Sequence, residues 1–338
     1  LVRVVMTNTG NAYAAEFAQL VAAGVEVSTY ASDAPLYIHA KVILADYPGA
    51  APSALVGSQN FSNASLNENR ELGLTVSDPA ILQSLAAALG SDFQGATPWA
   101  GSRTTAVVNA ASLEAGFASS GWMTIFGSNL APVTDDWSKY IVGGQLPAAL
   151  DHVSVSVNGQ AAYVAYISPS QINAIAPAVK AGAATVSVNG PNGASAAATS
   201  FAETAQPAFF AWGSYAVATH SDYSLAVKNG VLSGITVPAA PGEIITLWGA
   251  GFGPTNPAAP QGVETPEGVT YYTSSPVAVT LGGTPVSVDG AALAPGFAGL
   301  FQVAIQIPES MPNGDYALVA TVSGARSPAT VLLTVSER

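Results

Sequence analysis

Hydrophobic residues in the first hundred positions follow two different periods. Short apolar or alternating runs predict strands, and these runs lie at residues 1–7, 25–31, 37–45, 53–59 and 71–77. Between the first two runs, residues 11–24 have the spacing of an amphipathic helix. In that helix we expect Phe17, Leu20 and Val21 on one side and Gly24 as the stop signal.

A second helix is predicted over residues 79–90. Asp78 is placed to act as its N-cap, and Pro79 takes the first helical position, where a missing N–H does no harm. Strands that alternate with helices in this way are typical of an α/β domain. The Gly- and Pro-containing stretch 95–104 then predicts a linker, which we place at 99–104.

From about residue 105 the helical period disappears and short alternating runs take over, broken by NG, GG and PG turns. Four segments recur later in the same order. The segments at 123–132, 153–159, 170–177 and 182–190 match those at 245–254, 277–283, 301–308 and 314–324. Such a repeat predicts two copies of one β-sandwich unit. The domains expected are therefore 1–98, 105–204 and 205–338, with the linker between the first two.

The amino-acid composition argues against some classes of binding partner. Only 9% of the residues are charged and the net charge is −12, whereas an average soluble domain has about 25% charged residues. No segment is basic, which disfavours binding to nucleic acid or to an anionic membrane surface. The chain has no cysteine, so disulfides, thiolate metal sites and thiol catalysis are excluded.

The two ends of the chain and its apolar runs give further expectations. No apolar run reaches the roughly 18 residues that a membrane span needs. The chain begins at Leu1 without a signal-peptide pattern, and we expect it to be a fragment or a processed product of a longer protein.

Candidate chemistry is concentrated between residues 39 and 71. His39 and Lys41 are two positions apart in a predicted strand, as are Ser58 and Asn60 in the next one, so each pair is expected to share a face. A neutral imidazole can attack phosphorus, while an ammonium and an amide can stabilise the phosphoryl oxygens. A carboxylate can orient the imidazole. This inventory predicts a phosphodiester site that needs no metal or cofactor.

These residues resemble one half of a phospholipase D-type active site. The order is HxK, four residues and D, then GSxN, then NREL, and the resemblance covers residues 1–95, which are similar to the second half of that family. It implies an α/β half-domain of phospholipase D type. The candidate site residues are His39, Lys41, Asp46, Ser58, Asn60 and Glu71.

The resemblance also implies a role for each side chain. His39 would be the nucleophile or the general acid, and Glu71 would orient it. Lys41 and Asn60 would bind phosphate, with Ser58 at the wall of the same site. Asp46, the remaining member of the motif, would play a structural part.

Sites of this type use two HxK motifs, and this chain contains one. His152 and His220 have no lysine two positions further on, and we interpret them as surface or satisfied core residues. Three explanations stay open. An upstream half precedes this chain, a second copy supplies the other motif in a symmetric dimer, or the half-site is inert and serves as a scaffold.

Residues 105–338 carry a second resemblance. The elements TIFGSNLAP, VSVNG, SPSQIN, APGFAGLFQV and SPAT are similar to an uncharacterised C-terminal module of large secreted bacterial proteins, related to immunoglobulin-like IPT/TIG repeats. The resemblance implies two immunoglobulin-like β-sandwich modules, all-β in structure, and a secreted or cell-surface bacterial location.

Two functions from different classes follow. The first is a secreted or surface phosphodiesterase of phospholipase D type, whose β modules space it or dock it to a cell-surface or extracellular partner. Its phosphodiester substrate is expected to be a phospholipid rather than nucleic acid. The alternative is a non-catalytic extracellular structural or adhesive protein, a filament subunit that self-associates through sheet edges.

Overall fold

The computed structural model describes residues 1–9, 13–60, 65, 67–190, 194, 195 and 197–337. The chain divides into two compact units, Leu1–Gly101 and Ser102–Arg338, here called the N-terminal and C-terminal units. The structure is mostly β, with the long helices in the N-terminal unit. This agrees with the predicted α/β segment followed by an all-β part.

The N-terminal unit contains two three-stranded sheets. Its elements are β1 (Arg3–Asn8), α1 (Ala14–Ala22), β2 (Glu26–Ala31), β3 (Lys41–Ala45), β4 (Ser53–Gly57), β5 (Gly73–Val76), α2 (Pro79–Gly95) and β6 (Thr97–Pro98). In one sheet β1 lies parallel to β2, and β6 is antiparallel to β2. In the other sheet β3, β4 and β5 are antiparallel neighbours.

The helix α1 confirms part of the predicted pattern. Phe17 is buried at 2% exposure, and Gly24 adopts a φ of +82° just after the helix ends. Val21, however, was predicted on the same side as Phe17 and is 44% exposed, so this side of the helix is covered only in part. Residues 11 and 12 of the predicted helix lie outside the described residues.

The helix α2 begins as predicted and ends later. The Asp78 carboxylate accepts hydrogen bonds from the N–H groups of Ala80 and Ile81 at 2.9 and 3.1 Å, with Pro79 in the first turn. The predicted stop at Gly90 is wrong, since the helix continues to Gly95. A glycine inside a helix costs about 1 kcal/mol and is tolerated when the flanking residues favour the helix.

The first module of the C-terminal unit is a β-sandwich. Its strands are β7 (Arg103–Asn109), β8 (Phe117–Ala118), β9 (Trp122–Ser128), β10 (Asp135–Asp136), β11 (Ala149–Leu150), β12 (Val153–Val157), β13 (Gln160–Ala161), β14 (Tyr163–Ile167), β15 (Gln171–Ile175), β16 (Gly182–Asn189) and β17 (Ala198–Glu203). One sheet has the order β10-β14-β15-β9-β7 and the other β11-β12-β16-β17-β8. Alternate side chains of both sheets fill one apolar core, which includes Met123, Ile125, Val155 and Ile172.

The second module repeats this arrangement. Its strands are β18 (Ala208–Phe209), β19 (Ala211–Trp212), β20 (Tyr215–Ala216), β21 (Ala218–Thr219), β22 (Ile244–Ala250), β23 (Thr255–Asn256), β24 (Tyr272–Thr273), β25 (Val277–Leu281), β26 (Thr284–Leu293), β27 (Phe301–Gln306), β28 (Gly314–Val322), β29 (Ala325–Arg326) and β30 (Leu332–Val335). The long strand β26 pairs with β25 at one end and with β27 at the other, so it joins the two sheets.

The internal sequence repeat corresponds to repeated strand pairing. The first and third repeated segments form β9 and β15 in one module and β22 and β27 in the other, and each pair is antiparallel. The second and fourth segments form β12 and β16, then β25 and β28, again as antiparallel pairs. The four matched segments are therefore the central strands of the two sandwiches.

The two modules contact each other directly. The indole Nε1 of Trp122 donates to the carbonyl of Ala298 at 2.9 Å. A short backbone pairing joins the loops at Gln145 and Val263, and the Leu146 N–H donates to the carbonyl of Gly262 at 2.8 Å. A small apolar cluster centred on Leu146 and Ala298 lies beside these contacts. The modules are thus held together by main-chain hydrogen bonds as well as by apolar packing.

Each module contains a glycine at a position that leaves no room for a side chain. A Cβ on Gly127 would lie 2.0 Å from a carbonyl oxygen of the neighbouring strand and 2.8 Å from Leu130. A Cβ on Gly249 would lie 2.4 Å from the corresponding oxygen and 2.8 Å from Phe252. Leu130 and Phe252 are each 1% exposed, so the glycine makes room for the next core side chain.

The variant Gly249→Ala tests this constraint. The added methyl group has to displace backbone or a buried aromatic ring, and such overpacking costs about 1–3 kcal/mol. We expect that loss in the free energy of unfolding of the C-terminal unit, measured by urea denaturation. The matched control is Gly290→Ala in the same sheet, where a Cβ meets nothing closer than 3.8 Å. Equal losses in the two variants would contradict the explanation.

Candidate active site

The candidate site lies at one end of the β3-β4-β5 sheet. Lys41 opens β3 and pairs with Gly57, the last residue of β4, which in turn pairs with Gly73, the first residue of β5. Because neighbouring strands are antiparallel, the start of β3, the end of β4 and the start of β5 meet at the same edge. The segments around His39, Ser58 and Glu71 therefore come together there.

The Glu71 carboxylate is bound by two serine hydroxyls. Ser58 Oγ donates to Glu71 Oε2 and Ser65 Oγ donates to Glu71 Oε1, each at 2.5 Å. The two serine hydroxyl oxygens also accept hydrogen bonds from main-chain N–H groups. Ser58 Oγ accepts from the N–H of Leu72 at 3.2 Å, and Ser65 Oγ accepts from the N–H of Asn60 at 2.9 Å. Each serine thus links the carboxylate to a backbone segment of the site.

These contacts favour the charged form of Glu71. The hydrogen bond from Ser58 lowers the pKa of Glu71 most, followed by those from Ser65 and Asn69, with a smaller contribution from the positive charge of Lys41. A carboxylate with a lowered pKa stays ionised in mildly acidic solution. The site therefore holds a fixed negative charge close to the lysine that is expected to bind phosphate.

Lys41 and His39 lie close together in space, but they are not alternate residues of one strand. The strand predicted over 37–45 is wrong in its first four residues, because β3 begins at Lys41. The reason is that the Ile38 N–H donates to the Thr7 hydroxyl at 2.8 Å, away from the β3–β4 ladder. Lys41 Nζ instead turns back to donate to the carbonyl of His39 at 2.7 Å.

The His39 imidazole is exposed, with its ring 6.2 Å from that of Tyr37. Among the described residues the Glu71 carboxylate accepts hydrogen bonds from serines and none from His39. The predicted contact between Glu71 and His39 is therefore not formed in this structure. The hydroxyls of Ser58 and Ser65 occupy both oxygens of the carboxylate instead.

Ser58 and Asn60 follow β4 and do not belong to it, since that strand ends at Gly57. The prediction that they alternate along a strand is wrong, because the Asn60 N–H donates to the Ser65 hydroxyl and not to a neighbouring strand. Both side chains are exposed. Asn60 nevertheless lies close to the cluster, because Ser65 connects its backbone to Glu71.

Asp46 lies away from this cluster. It follows the last residue of β3, five residues beyond Lys41, which corresponds to about 17 Å along an extended strand. Its Oδ2 accepts the N–H of Ala51 at 2.7 Å, and its backbone has a φ of +55°. Asp46 therefore shapes the turn between β3 and β4.

Two residues with a role in the site were not assigned from the sequence. Ser65 is 3% exposed and lies between Asn60 and Glu71, and Thr7 is 5% exposed and fixes the segment before His39. Ser65 was visible as part of the stretch SLNENREL, but nothing in its spacing indicates the partner of its hydroxyl. Thr7 lies 32 residues before His39 in sequence, and only the fold brings it near.

The other two histidines agree with the interpretation made from the sequence. His220 is 7% exposed, and its Nδ1 and Nε2 lie 2.7 Å from Glu243 and 3.0 Å from the carbonyl of Val237. His152 is an exposed turn residue with a φ of +65°. In the described residues no group of three or more histidine, aspartate or glutamate side chains is arranged to hold a metal.

Two family models match the chain. Residues 2–93 match the model described as cardiolipin synthase, PLD-like domain. Residues 106–202 match the IPT/TIG domain. The chain thus carries a PLD-like domain followed by an immunoglobulin-like IPT/TIG domain, as both sequence resemblances predict. A search of curated proteins gave no match.

Solved structures resemble the chain only distantly. The match to the plexin A4 extracellular region has 16% sequence identity and a TM-score of 0.24. It covers 70% of this chain and 18% of the plexin chain. SGBP-B of the Bacteroides ovatus mixed-linkage glucan utilization locus, in complex with a heptasaccharide, is 9% identical with a TM-score of 0.31 over 89% of this chain and 54% of its own. Domains 5–6 of the S-layer protein SbsC are 13% identical, with a TM-score of 0.24 over 70% of this chain and 98% of its own.

At such low scores none of these structures carries an argument about function. The chain spans less than a fifth of the two plexin chains. Within the described residues no helix is both long and apolar enough to cross a membrane.

The lowered pKa of Glu71 predicts a pH-dependent contribution to stability. A carboxyl group whose folded pKa lies below the ordinary value of 4.5 stabilises the fold above that pH, and the contribution is lost as pH falls through the folded pKa. We expect Glu71→Gln to lower the protection of the β3, β4 and β5 amides from hydrogen exchange near neutral pH, and the difference from the wild type to shrink in acid.

The control is Glu16→Gln, which removes an exposed carboxylate from the first turn of α1. A loss in Glu71→Gln that is the same at all pH values, or that is matched by the control, would contradict the assignment.

Proposed function

We propose that this chain carries one catalytic half of a phospholipase D-type phosphodiesterase, followed by β modules that space or dock it. The observation that carries the proposal is the cluster at the end of the β3-β4-β5 sheet. There Lys41 and the ionised Glu71 interact electrostatically, and Ser58 binds Glu71 directly. The exposed His39 precedes Lys41 at the same edge.

The proposed reaction proceeds in two steps through His39. In the first step a ring nitrogen attacks phosphorus, a P–N bond forms, and the P–O bond to the leaving alcohol breaks. The leaving oxygen takes a proton from the second histidine of the complete site. In the second step water attacks phosphorus and gives a proton to that second histidine, and the P–N bond breaks with its electron pair returning to the His39 nitrogen. Lys41 and Asn60 stabilise the charge on the non-bridging oxygens in both steps.

The proposal requires Glu71 to orient His39 in the complete site. Since both carboxylate oxygens now accept hydrogen bonds from serines, His39 has to approach a free lone pair of one of them. A carboxylate has about four acceptor positions, so the serines do not exhaust them. The ring of His39 is exposed, and the proposal requires it to turn towards the carboxylate.

An apolar sheet face beside the site supports completion by a second half. Ile43 and Leu55 are direct cross-strand partners on that face and are 46% and 39% exposed. Lys41 lies on the same face, two residues before Ile43. Adjacent exposed apolar residues on a sheet are typical of a surface that another element covers. The second half is either an upstream segment or a second copy of the chain, while an inert half-site is the remaining explanation.

The substrate we favour is a phospholipid. The chain has a net charge of −12, and Arg3, Lys41 and Arg70 are the basic residues of positions 1–101. A nucleic-acid substrate needs a row of basic residues along its backbone, and these three do not form one in the sequence. We further propose an extracellular or cell-surface location, with the β modules in contact with a surface partner.

A non-catalytic structural role is the second candidate. The specific observation in its favour is the pair of β modules joined by main-chain hydrogen bonds, which is a suitable building block for a filament. This candidate predicts concentration-dependent assembly into particles much larger than a dimer. A protein that remains a monomer or a dimer at high concentration in sedimentation experiments does not fit it.

The variant His39→Ala tests the catalytic proposal. Removing the nucleophile or general acid should lower phosphodiester hydrolysis by at least about a hundredfold, measured with bis(p-nitrophenyl) phosphate and with phosphatidylglycerol vesicles. The control is His152→Ala, an exposed histidine of the C-terminal unit, which should keep the full rate. The comparison is made in a preparation that hydrolyses the substrate, either the chain alone or the chain with the upstream segment added, and equal rates of wild type and His39→Ala there would reject the assignment.

The dependence of the rate on protein concentration separates the two sources of the second half. If a second copy completes the site, the specific activity rises with concentration in parallel with the dimer fraction from sedimentation. If an upstream half is required, this chain is inactive alone and gains activity when that segment is added.

A further inference from the structure

We propose that Ser65 is a positioning residue of the phosphodiester site, which fixes the phosphate-binding Asn60 and the carboxylate of Glu71 relative to each other. The inference rests on the proposed function for the meaning of the site. Its geometric basis is the pair of hydrogen bonds that Ser65 Oγ makes with the two residues.

The direction of these hydrogen bonds is fixed by chemistry. A backbone N–H can only donate, so the contact with Asn60 uses the Ser65 oxygen as acceptor. The hydroxyl proton is then directed to Glu71 Oε1, at 2.5 Å. An ionised carboxylate can only accept, and this arrangement is the one that satisfies all three groups. The hydroxyl of Ser65 therefore favours the anionic form of Glu71.

Burial makes this link specific. Ser65 is 3% exposed, so water cannot replace its hydroxyl without rearrangement of the surrounding chain. Ser58 makes the same pair of contacts, with Glu71 and with a backbone N–H, but its side chain is exposed. Ser65 is thus the inner and less replaceable of the two hydroxyls that hold the carboxylate.

This link fixes the distance between Asn60, which is proposed to bind phosphate, and the carboxylate of Glu71. Asn60 has to meet a phosphoryl oxygen while Glu71 has to meet His39, and errors of about 1 Å in such placements reduce rates strongly. The backbone after β4 contains no further strand before Asn60. A hydrogen bond from the Asn60 N–H to a buried side chain is what holds that residue beside the carboxylate.

The test compares Ser65→Val with Ser65→Thr. The two replacement side chains have nearly the same shape, and only threonine keeps the hydroxyl. The first readout is the carboxyl ¹³C signal of Glu71 followed by NMR as a function of pH. In Ser65→Val we expect the pKa of Glu71 to rise relative to the wild type, whereas Ser65→Thr should restore the lower value. This readout requires no catalytic activity.

The second readout is the binding of inorganic phosphate, followed through the Asn60 amide signal. Loss of one hydrogen bond that orders the site should weaken phosphate binding about tenfold in Ser65→Val and much less in Ser65→Thr. Ser84→Ala is the control for removal of a serine hydroxyl, because Ser84 lies on α2, where its hydroxyl donates to the carbonyl of Ala80 in the preceding turn.

The outcomes separate this proposal from the proposed function. An unchanged titration of Glu71 in Ser65→Val overturns the role of Ser65, whatever the activity. A raised pKa that Ser65→Thr does not restore points to a change of shape and also overturns it. If Ser65→Val shifts the titration and Ser65→Thr restores it, but the wild type binds no phosphate, the role of Ser65 towards Glu71 stands and the phosphodiester function fails.

Discussion

The antiparallel register of β3, β4 and β5 is the constraint on which the candidate site depends. Lys41, Gly57 and Gly73 form one row across the sheet, and the segments that carry His39, Ser58 and Glu71 leave the sheet from that row. A slip of one residue in either pairing would move every side chain of the shifted strand to the opposite face of the sheet. Local hydrogen bonds from Ser58 and Ser65 then refine what the register has already brought together. Strand pairing brings the chain segments together, and the serine hydroxyls then fix the position of the Glu71 carboxylate.

The charge balance at this edge follows from the same arrangement. Two hydroxyls and the ammonium of Lys41 act in one direction and keep Glu71 ionised. A fixed anion beside a lysine reduces the net positive charge that a phosphate would meet. In the proposed function this anion serves to orient His39 and not to bind phosphate. Enzymes gain more rate from interactions realised in the transition state than from tight binding of the ground state. A weaker interaction with phosphate in the ground state is therefore compatible with the proposed reaction through His39.

The sequence allowed the fold to be predicted further than the site. Alternating apolar residues and the internal repeat identified the central strands of both sandwiches, because each strand has one buried face and the repeat preserves it. Asp78 and Pro79 identified the start of α2 through local hydrogen bonding. The strand end near His39 could not be predicted, since it depends on Thr7, which is 31 residues away from Ile38 in sequence. The strand end near Ser58 and the partners of Glu71 involve Ser65, which is close in sequence, but nothing in its spacing indicates which groups its hydroxyl binds. The motif specifies which side chains are present, and tertiary contacts decide which of them touch.

The hydrogen bonds between the two β modules have a mechanical consequence. Two domains on a flexible hinge swivel independently and lose that freedom when their far end is captured, which weakens attachment. Here the Trp122–Ala298 bond and the pairing of the loops at Gln145 and Val263 remove the hinge. The pair is then expected to move as one body, so that a force applied at one end of it is transmitted to the other end.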